Sequence, residues 1–199
     1  MKPRMKAKVL AAIIIIAVIV ASVGIYYLSL PTVPVEVPPQ ILSSNSYTQK
    51  IDTVDYFVVV GEIKNNLETA IESVRVNATF YDAENNTIDT RFTYVERTGV
   101  SVIPKQTTAP FMIKMVLNPL VKTPARYDLL LSYVKTSGES FAEFAVLNRT
   151  SGFDQNGYYI ISGWVQFIGF GKAIGSRVIC TYYDQDGKVM GWSTAYLPL

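Results

Sequence analysis

Apolar residues follow two patterns along this chain. From Val9 to Leu30 they form one uncharged run, VLAAIIIIAVIVASVGIYYLSL. As a helix, these 22 residues would extend roughly 33 Å, close to the ~30 Å hydrocarbon thickness of a bilayer. Beyond residue 50 the pattern changes to short alternating blocks separated by Asn, Asp and Gly, which predicts strands and tight turns. Predicted strands run over Val54–Lys64, Ile71–Asp82, Thr87–Val95, Thr107–Leu117 and Tyr127–Val134, then over Tyr158–Phe167, Ile174–Asp184 and Val189–Tyr196. Residues 140–147 read as a further strand or a connector.

Alternation also assigns faces. Val74, Val76, Ala78 and Phe80 point to a core, and Arg75, Asn77, Thr79 and Tyr81 to solvent. Phe111, Ile113, Met115 and Leu117 share one face, as do Tyr127, Leu129, Leu131 and Tyr133. At least five short strands joined by turns predict an antiparallel sandwich.

The chain repeats itself at an offset of 102 residues. Tyr56, Gly61, Arg75, Val76, Thr79, Tyr81 and Asp82 recur as Tyr158, Gly163, Arg177, Val178, Thr181, Tyr183 and Asp184, with no gap between them. This spacing indicates a duplicated unit. The sequence ends at Leu199, which matches Arg97, so the second unit is read as incomplete. Its surface positions are also more apolar. Trp164, Phe167, Ile168, Phe170 and Ile179 stand where the first unit has Glu62, Asn65, Asn66, Glu68 and Asn77. Further sequence, packing against the first unit, or a strand donated by a partner would each account for this surface.

Charge gives the anchor a direction. Lys2, Arg4, Lys6 and Lys8 precede the apolar run, and the first acidic residue is Glu36. The positive-inside rule therefore places the N-terminus in the cytoplasm and exports the rest. A cleaved signal peptide is the competing reading, but its apolar core is shorter, about 7–15 residues, and ends in a small-residue cleavage site. A pilin-like processed anchor fits the basic leader and lacks a clear cleavage motif. Without those four residues the chain has 14 basic and 16 acidic residues, so no basic excess suits it to nucleic acid. Pro31, Pro34, Pro38 and Pro39 predict a stiff, extended stalk.

A strand ending in Val59-Val60-Gly61-Glu62, then Lys64-Asn65-Asn66, a second strand ending Phe80-Tyr81-Asp82, and Ile103-Pro104 leading to Pro110-Phe111 together resemble the FxLYD family of exported prokaryotic domains. The pattern departs at its first Phe, which is Ala78 here and Cys180 in the second unit. The resemblance covers residues 54–134 well and 157–196 partly. It implies an immunoglobulin-like β-sandwich at a cell surface and no enzymatic activity.

The resulting organisation is a basic cytoplasmic flank (1–8), a transmembrane helix (9–30), a Pro-rich stalk and linker (31–50), a first FxLYD-like sandwich (51–136), a connector (137–156) and a second, incomplete repeat (157–199). The fold class is mainly β, with an N-terminal transmembrane helix followed by immunoglobulin-like antiparallel β-sandwich repeats.

Motifs for chemistry are sparse. Histidine is absent, which removes the usual general base and zinc ligand. Cys180 is the single cysteine, so no intramolecular disulfide forms. Gly191-Trp192-Ser193-Thr194-Ala195 approaches a nucleophile elbow but lacks the strand–turn–helix context and the histidine that the elbow needs. Asp184, Asp186 and Gly187 read as a hairpin turn, because a calcium loop carries further ligands. Asn77, Asn85 and Asn148 each open an N-glycosylation sequon. The expected function is a non-catalytic interaction or structural module of the cell envelope. It would hold lipid through residues 9–30, need no cofactor, and bind an envelope protein or its own copies. The expected binding surface is Trp164, Phe167, Ile168, Phe170, Ile179 and Trp192. Glycan binding through exposed aromatics is the alternative.

Overall fold

The computed structural model describes residues 36–95, 101–117, 123–137, 144–168 and 176–197. The anchor, its flank, Pro31, Pro34 and Phe170 lie outside these residues. Among the described residues no helix is long and apolar enough to cross a membrane. They form a mainly β structure of eleven strands: β1 Gln40–Ile51, β2 Val54–Lys64, β3 Ala70–Tyr81, β4 Thr87–Tyr94, β5 Val102–Ile103, β6 Thr108–Leu117, β7 Arg126–Thr136, β8 Phe144–Phe153, β9 Tyr159–Phe167, β10 Arg177–Tyr183 and β11 Val189–Tyr196.

Two antiparallel sheets enclose the main core. One has the order β1-β2-β6. In the other, β3 is central: β4 and β5 pair with it, and β7 pairs along its length. The inward residues are those that alternation selects. Val76, Ala78 and Phe80 of β3 meet Phe57, Val59 and Ile63 of β2 and Phe111, Ile113 and Met115 of β6. Tyr127, Leu129, Leu131 and Tyr133 of β7 close one flank. Phe57 packs edge-on against Phe80, with ring centroids 5.8 Å apart, a geometry the ring quadrupole favours.

Asn65 staples the loop after β2. It is fully buried, and its Nδ2 donates to the carbonyls of Thr69, Pro104 and Ile103 at 2.9, 3.0 and 3.1 Å. Its Oδ1 accepts from Leu67 N at 3.1 Å. One side chain thus satisfies backbone groups from two segments, 67–69 and 103–104, which low-dielectric surroundings make costly to leave unpaired.

Two strands fall in segments read from sequence as linkers. β1 occupies most of the segment read as stalk and linker, and pairs with β2 from Gln40↔Lys64 to Ile51↔Val54. β8 occupies the segment read as connector and pairs with β9. β1 is rich in Ser, Thr and Asn, β8 opens on Phe144-Ala145-Val146-Leu147, and neither alternates. They are held by backbone bonds to a neighbouring strand, a contribution that side-chain periodicity does not register.

Candidate functional site

The second repeat consists of two separate hairpins, β8–β9 and β10–β11. The β10–β11 hairpin copies β3–β4 in register. Arg75↔Tyr94 and Phe80↔Asp89 become Arg177↔Tyr196 and Tyr182↔Gly191, and the irregularity after Phe80 recurs after Tyr182. The turns match as well. Oδ1 of Asp82 accepts from the amides of Glu84 and Asn86 at 3.0 and 2.8 Å. Oδ1 of Asp184 accepts from Asp186 and Lys188 at 2.9 and 2.8 Å. The fourth turn residue has positive φ in each, at Asn85 and Gly187, where Asn and Gly are tolerated. Asp154 and Gly157 repeat this turn between β8 and β9.

The matched glycines have a shared role. A Cβ on Gly61 would lie 2.6 Å from Ser43 O on β1, and one on Gly163 would lie 3.2 Å from Leu147 O on β8. In both units the first strand crosses closely over the glycine near a register shift, Ile41/Ser43 in one and Leu147/Thr150 in the other.

The units differ in what surrounds these hairpins. In the first, β2 is flanked by β1 and β6. In the second, β9 has β8 on one edge and no strand among the described residues on the other. The β8–β9 and β10–β11 hairpins border two contiguous cavities of about 550 and 530 Å³. Arg149, Tyr159, Ile161, Cys180 and Tyr182 line both. Cys180 therefore faces inward, like Ala78, but is only half-buried. Among the described residues no strand takes the place that β6, with Phe111 and Ile113, holds in the first unit.

The second repeat rests on the first through β11. Val189 is fully buried against Val58 and Val60, with Tyr47, Tyr56 and Met112 around them. Tyr183 donates its hydroxyl proton to Oε1 of Glu62 at 2.8 Å. Its pKa is pushed up to about 12 by burial, then by the hydrogen bond and the charge of Glu62, with an opposing hydrogen bond from Thr181. This seam buries the outer face of β2 while the core buries its inner face. The uninterrupted run Val58-Val59-Val60 carries that signal, since a strand covered on both faces reads as continuously apolar.

The expected binding residues do not converge on one patch. Trp164 is 73% exposed on the outer face of β9, and Ile168 is exposed just beyond its end. Phe167 stacks at a tilt on Phe144, with ring centroids 5.4 Å apart. Ile179 lines the cavity. Trp192 is half-buried, and its indole N–H is enclosed without a partner. Tyr158, 71% exposed, belongs with this surface. A comparison of polar with apolar positions does not find it, because its counterpart Tyr56 is aromatic too. Asn85 and Asn148 are exposed, and Asn77 is half-buried between Phe92 and Leu130 on the outer face of β3. Ser193 sits on strand β11 and hydrogen-bonds the Tyr182 hydroxyl. No metal-holding cluster occurs among the described residues.

The features in hand define a mainly β protein in which a closed two-sheet unit carries a second, open one. No protein-family model matches the chain, and no curated protein matches it.

Proposed function

We propose that this protein is a membrane-anchored, exported, non-catalytic interaction module of the cell envelope. In this reading the first unit is an immunoglobulin-like sandwich of FxLYD type and the second is its docking element. Residues 9–30 hold the bilayer, the N-terminus stays in the cytoplasm, and the strands face outward. The observation that carries the reading is the β8–β9 and β10–β11 pair, with its apolar cleft and with strand edges that no other strand covers among the described residues. Such edges recruit strands from other chains. Solubilising the full chain from its native membrane in mild detergent and weighing the particle tests it. A complex larger than the chain in its micelle is expected, and a bare monomer under all mild conditions would reject the reading.

A glycan-binding role is the second reading. Trp164 and Tyr158 expose rings close together in the chain, and such rings stack on sugars. Trp192 serves this role less well because it is half-buried and its indole N–H is enclosed. Glycan-array binding that Trp164→Ala abolishes would favour it.

A further inference from the structure

The open edge of β9 has chemistry that selects a particular occupant. Strands exposed at a sheet edge normally carry a charge or a proline that discourages pairing. Lys50 marks β1, Asp89 and Arg91 mark β4, Lys114 and Pro110 mark β6, and Arg126 and Asp128 mark β7. Arg149 and Arg177 do the same for β8 and β10. Among described strands longer than two residues, only β9 and β11 have neither. β11 packs face-on against β2 at the seam through Val189, and its outer edge corresponds to that of β4, which no described strand covers in the first unit either. The edge of β9 that no strand covers among the described residues corresponds to the edge of β2 that β6 fills.

We propose that β9 pairs antiparallel with β9 of a second copy, making one four-stranded sheet across a two-fold axis at Ser162. This rests on the interaction-module reading above and names the partner. The sequence Tyr159-Ile160-Ile161-Ser162-Gly163-Trp164-Val165 is nearly self-complementary about its centre. In that register Ile160 stands opposite Trp164 of the second copy on the outer face. Tyr159 stands opposite Val165 of the second copy, and Ile161 opposite its Gly163, on the cleft face. Aromatic and β-branched residues opposed across strands stabilise a sheet. A shift to centre on Gly163 would instead set Ile160 against Gln166 and Ser162 against Trp164, losing those pairs. No charged residue lies in the strand, so two copies meet without like-charge repulsion. The pairing is isologous and closes as a dimer.

The test uses the full chain in its membrane. Cys180→Ser removes the sole cysteine, and Ser162→Cys then places one thiol at the proposed axis. A short bis-maleimide is expected to give a covalent homodimer at least ten-fold more abundant than from a control thiol at exposed Thr90. Trp164→Glu, which installs the side chain of the matching residue Glu62, should reduce that dimer ten-fold. Because Trp164 is exposed, this variant should keep its fold. A homodimer yield no higher than the control would overturn the pairing. A product joining the introduced thiol to a different protein would also overturn it and leave the interaction reading standing. Free labelling by a monofunctional maleimide with no cross-linked product would count against both.

Discussion

The hydroxyl of Tyr183 meets Oε1 of Glu62 at 2.8 Å, joining residues 121 positions apart across the seam between the two repeats. Glu62 is only 7% exposed, so removing its donor leaves a carboxylate oxygen poorly solvated. Tyr183→Phe should loosen β10–β11 by about 1 kcal/mol, read as faster amide exchange in those strands with little change in β3 and β6. The pH dependence has a definite sign. An unfolded tyrosine loses its proton near 10.0, whereas Tyr183 holds its proton to about 12 in the fold. The contribution is fully present below pH 10 and is lost as pH rises from 10 to about 12. The half-exposed ring keeps the effect modest. Wild type should weaken across that window, and Tyr183→Phe should weaken less.

Gly61 and Gly163 occupy matched positions in differently filled units, and their alanine variants should differ in cost. At Gly61 a methyl would come within 2.6 Å of both Phe111 Cε1 and Ser43 O. Neither the packed ring nor the backbone can yield easily, so Gly61→Ala should destabilise by about 3 kcal/mol. At Gly163 the nearest atoms are Leu147 O at 3.2 Å and Arg149 Cα at 3.5 Å, and a small shift suffices. Gly163→Ala should cost about 1 kcal/mol. Urea midpoints followed by far-ultraviolet circular dichroism would compare them, and equal losses would contradict the difference in packing.

That pair also shows how much was legible before the fold was known. The 102-residue offset matches the two glycines and the hairpin register of β10–β11, because turn chemistry is local and survives when surroundings change. The core face of β3 follows from Val76, Ala78 and Phe80, since alternation records which side meets apolar matter. β1 escapes such a reading, and β8 is reached only as one of two alternatives over residues 140–147, because pairing to a neighbour needs only backbone groups. The candidate surface is legible in part. Trp164 in place of Glu62 draws attention to β9, but that comparison takes Glu62 and Asn65 as surface positions, and the fold buries both. Composition also cannot separate an outward Trp164 from a cleft-lining Ile179 or a half-buried Trp192.

Asn65 offers a test of the buried polar network. Asn65→Ala would strip hydrogen bonds from three carbonyls and one amide at the end of β2. Carbonyls in this enclosed loop would then lack a donor, at about 1–3 kcal/mol for each group that water cannot reach. The loss should show as a lowered melting temperature, with amide exchange rising first at Leu67 and around β5. Asn65→Asp should also destabilise, because a carboxylate keeps the acceptor for Leu67 N and supplies no donor.

The turn at Asp184 separates a structural carboxylate from a calcium ligand. Its Oδ1 already accepts two backbone amides, from Asp186 and Lys188, while Asp184 N and Gly187 N make the remaining turn bonds. A cation bound there would compete with the donors that hold the turn. Calcium or its chelation should therefore leave the melting temperature of the full chain unchanged. Asp184→Ala should destabilise β10–β11 by about 1 kcal/mol through loss of the two accepted bonds, and Asp184→Asn should lose less because its amide oxygen still accepts. Melting curves with calcium and with chelator, and amide exchange at Lys188 in the two variants, would check both expectations. A rise of several degrees with millimolar calcium that Asp184→Asn abolished would assign the turn to metal binding instead.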